Sequence, residues 1–285
     1  MDTEQIRTFL AVAANGSFLG AASRLYVTQS TVSARIQNLE NSLGATLFSR
    51  NRSGANLTPA GRRFLRHAKS LMLTMQQARH DVGLPENYQS SLVIGARIAL
   101  WDAGFLPHWI GILRRDMPSV SIHSEIGFEE DLMWRLIEGA IDIGLMYTPQ
   151  YGAGLQVEHL FDETLVLVAT EPEAEWPDER YVYVDWGPGF YAQHQESFPE
   201  LRGPALQANI GWLAVQLILS QGGSCFLPQR MAEPLVTSGQ LGRVADSPSF
   251  ALPAYAVFPT RAESSCEQAM EKLRQLLKEF RPDYH

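Results

Sequence analysis

Apolar residues recur at helical spacing from the first turn of the chain. Ile6, Phe9, Leu10 and Ala13 predict an amphipathic helix over residues 2 to 14, closed by Asn15-Gly16. Ser17 is a good N-cap for a short helix reaching Leu25, with Ala21 and Ala22 giving a small face for close approach. Tyr26-Val27 then make a turn, and Thr28 caps a third helix. There Val32, Ile36, Leu39 and Leu43 form one stripe, with Gly44 at the left-handed C-cap position. Gln29, Ser30, Ser33, Arg35 and Gln37 fall on its other faces. Two short helices joined by a tight turn, the second richer in polar side chains, form a helix-turn-helix pattern.

Leu47-Phe48, SRNRSGAN and Leu57 read as a short hairpin with Arg50 and Arg52 near its tip, the pattern of a wing. Thr58-Pro59 start a helix predicted to run to about Val82. Its apolar surface, with Leu65, Ala68, Leu71, Met72 and Met75, is wide enough to need a partner. After LPENYQSS the pattern becomes alternating. SLVIGA, VSIHSEIG, DIGLMY, ETLVLVAT, RYVYVDW, GSCFLP and AYAVFP read as strands, with helices between or after them. That is α/β, with a mainly parallel sheet or sheets expected.

Charge sharpens this division. The chain of 285 residues carries a net charge of −8, yet residues 1 to 80 hold ten Lys or Arg against Asp2, Glu4 and Glu40, a local charge of +7. The remainder carries −15, so an acidic chain contains a basic amino-terminal module suited to nucleic acid. No apolar run approaches the roughly 18 residues of a membrane span and nothing resembles a signal peptide, which predicts a cytoplasmic protein. Cys225 and Cys266 sit in neither a metal nor a redox spacing and are expected to be buried thiols. The seven histidines show no ligand spacing. GGSCF lacks the second glycine of a nucleophile elbow, and neither a P-loop nor a dinucleotide fingerprint is present. No metal, cofactor or enzymatic activity is therefore expected.

AVAANGSF, GAASRLYVTQSTVSARIQNLENSLGATLFSR and LTPAG, in that order, resemble the LysR-type transcriptional regulators. SLVIGA, EGAIDIGLM and GGSCFLP are similar to that family's effector domain, so the resemblance covers essentially the whole chain. ALWD at 99 to 102 and DWGPGF at 185 to 190 resemble the branch containing a repressor of the flagellar master operon. The resemblance implies an α+β multidomain protein: a winged helix-turn-helix (residues 1–58), a linker and dimerisation helix with hinge (59–90), and a two-lobed α/β domain resembling periplasmic binding proteins (91–285). Lobe 1 is expected at about 91–160 and 255–285, and lobe 2 at about 161–254.

The implied function is sequence-specific binding to double-stranded DNA with twofold-related half-sites, modulated by a small molecule in the inter-lobe cleft. DNA contacts are assigned to Gln29, Ser30, Thr31, Ser33, Arg35, Arg50 and Arg52. Many members have Pro at the position of Ser30 and Arg at that of Ala34, and this chain has neither, although Arg35 lies one residue on. The dimer or tetramer is expected through Leu65, Ala68, Leu71, Met72 and Met75, and RNA polymerase is a candidate partner.

Strand C-termini and helix N-termini between lobes select Arg97, Ile98, Ala99, Leu100, Trp101, Phe128, Glu129, Tyr147, Thr148, Asn209 and Ile210 for the effector. Family members often hold a carboxylate with Ser or Thr in the first of these loops. Ala99 and Leu100 offer no hydroxyl, which leaves an apolar or aromatic ligand near Trp101 open. The same C-terminal fold also suits a solute-binding receptor with no role at DNA, an alternative that predicts an export signal and no need for residues 1 to 80.

Overall fold

The computed structural model describes residues 1–51, 54–84, 87–101, 105–150, 152, 154–174, 178–201 and 206–279, and not the side chains of residues 50, 51, 77, 79–81 and 105. The chain divides into two compact units, Met1–Ser91 with Trp134–Ile141, and Leu92–Met133 with Asp142–His285.

The first unit opens with α1 (Thr3–Asn15), α2 (Phe18–Leu25) and α3 (Gln29–Leu43). Each has the cap its sequence supplies. Asp2 and Gln5 form a capping box on α1, the Ser17 side chain accepts from Gly20 N–H, and the Thr28 side chain accepts from Thr31 N–H. Gly16 and Gly44 close α1 and α3 in the left-handed region. β1 (Phe48–Asn51) and β2 (Gly54–Leu57) pair antiparallel as the wing. The wing is anchored from both sides: Ala55 N–H donates to Gly16 O at 2.8 Å, and Gly54, at φ 119°, lies where an added Cβ would fall 2.4 Å from that same oxygen. Only glycine fits there.

α4 (Pro59–Gly83) follows, started by Thr58, whose hydroxyl accepts from Gly61 N–H and donates to Thr46 O. The core of this unit joins Phe9, Leu10, Val32, Ile36, Leu39, Phe48, Ala68, Met72 and Trp134. Arg24 lies over the Trp134 ring, and Arg7 Nε donates to Glu138 Oε1 at 2.7 Å.

After α4 the chain forms β3 (Ser90–Ala96), α5 (Ile98–Trp101), α6 (Phe105–Asp116), β4 (Val120–Ile126), α7 (Glu129–Glu138), β5 (Ile143–Met146) and β6 (Leu155–Ala169), all in the second unit except the first two residues of β3 and the part of α7 from Trp134 on, which belong to the first. The second unit continues with β7 (Val182–Val184), α8 (Pro188–Ser197), β8 (Leu206–Ala208), α9 (Gly211–Gln221), β9 (Ser224–Pro228), α10 (Gln229–Thr237), β10 (Gly242–Arg243), β11 (Phe250–Pro259) and α11 (Ser264–Glu279). One sheet runs β10-β6-β11-β5-β3-β4, with β9 also on β6, and β7-β8 form a short parallel pair.

This sheet is mixed, which corrects the expectation of a mainly parallel one. β3 and β5 are parallel, but β11 is antiparallel to β5 and β6, and β9 and β10 are antiparallel to β6. The cause is the long antiparallel pair β6–β11. One end of β11, Tyr255–Val257, pairs with β5, and the far end of β6, Leu165–Ala169, pairs with β9. Their mutual register shifts between Ala254 and Tyr255, a bulge or irregularity in the ladder. The sequence pattern located only the apolar second half of β6, because residues 155–162 are half-buried or exposed. α8, β8 and β10 also fall in stretches where no element was expected.

The core of this unit includes Trp109, Trp186, Phe190, Phe226 and the buried faces of α6, α9 and α11. Buried indole N–H groups find backbone partners, Trp109 on Ala269 O and Trp186 on Phe226 O. Cys225 and Cys266 are both buried free thiols, and burial pushes the Cys266 thiol up to about 12. Among the described residues no helix is long and apolar enough to cross a membrane, and no group of three His, Cys, Asp or Glu could hold a metal ion.

Candidate nucleic-acid interface and effector cleft

α3 separates two functions on two faces. Val32, Ile36 and Leu39 are buried against α1 and α2, while Gln29, Ser30, Ala34 and Gln37 are exposed and Thr31 and Ser33 half-buried. Its first turn is held by a hydroxyl cluster: Thr28 Oγ1 lies 2.8 Å from both Ser30 Oγ and Thr31 Oγ1. The other end is tied to the wing, because Glu40 Oε1 accepts from Leu47 N–H at 2.6 Å and from Phe48 N–H at 3.2 Å. A rigid helix with a polar leading turn is therefore mounted on a packed base.

Arg35 departs from its expected place. Its Nη1 sits 3.0 Å from Glu4 Oε2 and 3.5 Å from Thr8 Oγ1, so the guanidinium faces α1. The reason is its position on the helix circumference at the edge of the buried stripe, beside Leu39, within reach of the first turn of α1. Gln29 and Ser30 carry the exposed donor and acceptor groups of the leading turn. Arg50 lies in β1 with its side chain outside what the structure describes, and Arg52 lies outside the described residues. Arg62, at the start of α4, donates to Leu57 O at 2.9 Å, and Arg63 and Arg66 are exposed.

The residues expected to make a dimer divide in the same way. Ala68 and Met72 are buried in the first unit's own core and have no face for a second copy. Leu71 and Met75 are 39% and 36% exposed, and Leu65 is half-buried. The apolar surface of α4 is thus partly buried and partly exposed, and the spacing alone does not separate the two.

In the second unit the end of β3 brings together a charged cluster that the sequence only half revealed. Arg97 is buried, its Nε 3.4 Å from Glu129 Oε1, its Nη2 3.5 Å from Asp185 O, and its guanidinium 4.7 Å from the centre of the Phe128 ring. Arg230, on α10, donates to Ala99 O and to Glu163 Oε1, both at 2.8 Å. Tyr147 donates to the same Glu163 oxygen at 2.9 Å. Burial first, and then the facing Glu163 carboxylate, hold the Tyr147 phenol well above its usual range. Two arginines and two glutamates thus neutralise one another in low-dielectric surroundings.

Of the other residues assigned to this cleft, Ala99 and Leu100 have their side chains buried in the hydrophobic core. Residues 98–101 form a helical turn, and its inward positions pack. Ala99 contributes its carbonyl, already taken by Arg230. Trp101 donates its indole N–H to Glu125 O at 3.1 Å, and Phe128 is 44% exposed. Ile98 and Thr148 are half-buried, Asn209 is exposed, and Ile210 is the N-cap of α9. Glu163 and Arg230 are not legible in the sequence, because nothing in DETLVLV or GSCFLPQR distinguishes them from surface charges, and Asp185 takes part only through its backbone carbonyl.

Comparison with known proteins follows the same division. Residues 3–62 match the family model for the bacterial regulatory helix-turn-helix protein of the lysR family, and residues 86–281 match the LysR substrate binding domain. The HTH-type transcriptional regulator HdfR of Yersinia enterocolitica is 33% identical over 291 residues, covering 98% of this chain and 96% of its own. The HdfR of Yersinia pestis is 33% identical over 290 residues, with the same coverage. Among solved structures, full-length LysG from Corynebacterium glutamicum with bound effector Arg superposes with a TM-score of 0.59 at 18% identity, covering 98% of this chain and 99% of that one. ArgP from Mycobacterium tuberculosis gives 0.56 at 20% identity, covering 97% of each.

Proposed function

The chain belongs to the LysR family of bacterial helix-turn-helix regulators, not to an enzyme family, and from that premise we propose how it reads DNA and responds to a ligand. Sequence-specific recognition falls to the leading turn of α3, with Gln29 and Ser30 on base edges and Ser33 beside them. Glutamine can bond adenine bidentately and serine adapts to either base, with a good bidentate pair contributing about 1–3 kcal/mol of discrimination. Arg35 serves as a strut between α3 and α1. Arg50 and Arg52 on the wing meet phosphates or the minor groove and position the module.

The observation that carries this reading is the exposed, capped first turn of α3 above a stripe of fully buried Val32, Ile36 and Leu39. A solute receptor without a DNA role leaves that turn, and the whole first unit, unexplained. The test is fluorescence anisotropy with the intergenic DNA upstream of the protein's own gene, at two salt concentrations. Gln29→Ala is expected to weaken binding roughly tenfold, and higher salt to weaken the wild type steeply. Affinity indifferent to both salt and Gln29→Ala would overturn the reading.

For the effector, we assign the cleft around Arg97. The reason is that Arg97 makes only long contacts, at 3.4 and 3.5 Å, whereas Arg230 is held by two short ones. A ligand with an acceptor group competes with Glu129 for Arg97, and its apolar part lies against Phe128 and Trp101. Such a ligand shifts the regulator between states only through a difference in affinity for them. The working oligomer is a homodimer or a pair of dimers, bringing two copies of α3 to twofold-related half-sites.

A further inference from the structure

We propose that Tyr26 is a DNA-backbone contact of this chain, its phenol O–H donating to a phosphodiester oxygen beside the reading helix. The inference rests on the DNA-binding reading and extends it to a residue outside α3. Tyr26 is the C-cap of α2 and adopts φ 54°, ψ 41°, a left-handed conformation that favours glycine or asparagine. Among the described residues only Tyr26 and Asp246 have positive φ without being glycine. An aspartate has a short polar side chain that eases this conformation, and a tyrosine does not.

Burial could compensate a strained tyrosine, but the Tyr26 side chain has none: it is 96% exposed. Glycine at this position would keep the turn and remove the strain, so what the phenol contributes lies outside the folded chain. Its location says what it meets. Tyr26 stands two residues before the N-cap Thr28, and Thr28, Gln29 and Ser30 are all exposed. The arginines nearest this turn face inward, Arg24 over Trp134 and Arg35 on Glu4. Hydroxyl groups therefore dominate the solvent face at the entry to α3, and tyrosine O–H is among the ordinary donors to DNA phosphate.

A neutral donor has a distinct signature. It adds affinity on every sequence without releasing a counterion, so it leaves the salt dependence of binding unchanged, whereas loss of a phosphate-bound arginine lowers the salt slope by about one. The experiment uses the full chain with Tyr26→Phe and Tyr26→Gly. Each is titrated by anisotropy at three salt concentrations, against the upstream intergenic duplex and a random-sequence duplex of equal length. Both variants are expected to bind roughly tenfold more weakly on both duplexes, with the salt slope of the wild type. The melting temperature of Tyr26→Gly is expected to equal or exceed that of the wild type.

Wild-type affinity in Tyr26→Phe overturns the proposal, because the hydroxyl is then idle. A melting temperature several degrees lower in Tyr26→Gly also overturns it, since the ring is then structural. A wild-type chain that binds neither duplex overturns the DNA-binding reading itself, and this inference with it. A wild type that binds, with Tyr26→Phe unaffected, overturns only the role of Tyr26.

Discussion

His194 shows what a single buried side chain imposes. It is fully buried among Tyr183, Phe190, Phe198, Phe226 and Phe250, with Nε2 2.9 Å from Tyr181 Oη and, among the described residues, no hydrogen-bond partner at Nδ1. Burial lowers its pKa from the ordinary value of 6.5, so the unfolded chain takes up a proton more readily than the folded one. The stability this provides is present above pH 6.5 and lost as pH falls below it. Melting curves from pH 7.5 to 5.5 are expected to show a decline that His194→Phe flattens, although that variant is less stable throughout. An unchanged slope would refute the assignment. At Glu163 the same low dielectric predicts that Glu163→Leu, which removes the carboxylate facing Arg230 and Tyr147, lowers stability by about 3 kcal/mol. Adding Arg230→Met is expected to restore much of that loss, as measured by denaturant titration.

Between elements, the joint that matters most for DNA is the one between α3 and the wing. Glu40, near the end of α3, accepts the N–H groups of Leu47 and Phe48, so one carboxylate sets the angle at which the hairpin leaves the helix. Glu40→Ala leaves two partly buried amides without their acceptor, at about 1–2 kcal/mol. It is expected to speed hydrogen exchange at Phe48 and to reduce DNA affinity, while Glu40→Gln, which retains one acceptor oxygen, falls between. Equal exchange rates in Glu40→Ala and the wild type would show that the wing is held by Ala55 and Thr58 alone. The β6–β11 pair plays the corresponding part in the second unit. Its two long strands sit in one sheet with β5 on one side and β9 and β10 on the other, and their register shifts at Ala254/Tyr255.

For the whole molecule, the proposed dimer rests on α4, whose apolar residues are not all covered within the first unit. Leu71 and Met75 are exposed on a helix whose Ala68 and Met72 are buried. The double variant Leu71→Glu and Met75→Glu is expected to run as a monomer in light scattering at micromolar concentration and to lose affinity for a paired site far more than for a half-site. A variant that stays dimeric places the interface elsewhere. The charge asymmetry belongs to this scale too. The acidic remainder repels DNA at long range, so the basic module has to be the part presented to the duplex, and its binding is expected to be strongly salt dependent.

Much of the first unit was legible in the chain. Caps at Ser17, Thr28 and Thr58, stops at Gly16 and Gly44, and three of the four stripe residues, Val32, Ile36 and Leu39, act within a few residues, so adjacency in sequence is adjacency in space; the fourth, Leu43 in the last turn, is exposed. The element order, the wing and the α/β character of the remainder follow from the same local rules. Only the tertiary structure decided which charges meet: Arg35 with Glu4, Arg97 with Glu129, and Arg230 with Glu163, 67 residues away. It also decided which apolar residues of α4 are buried inside the unit and which stay exposed. A guanidinium reaches whatever the fold carries to it, and its spacing along the chain holds no record of that distance.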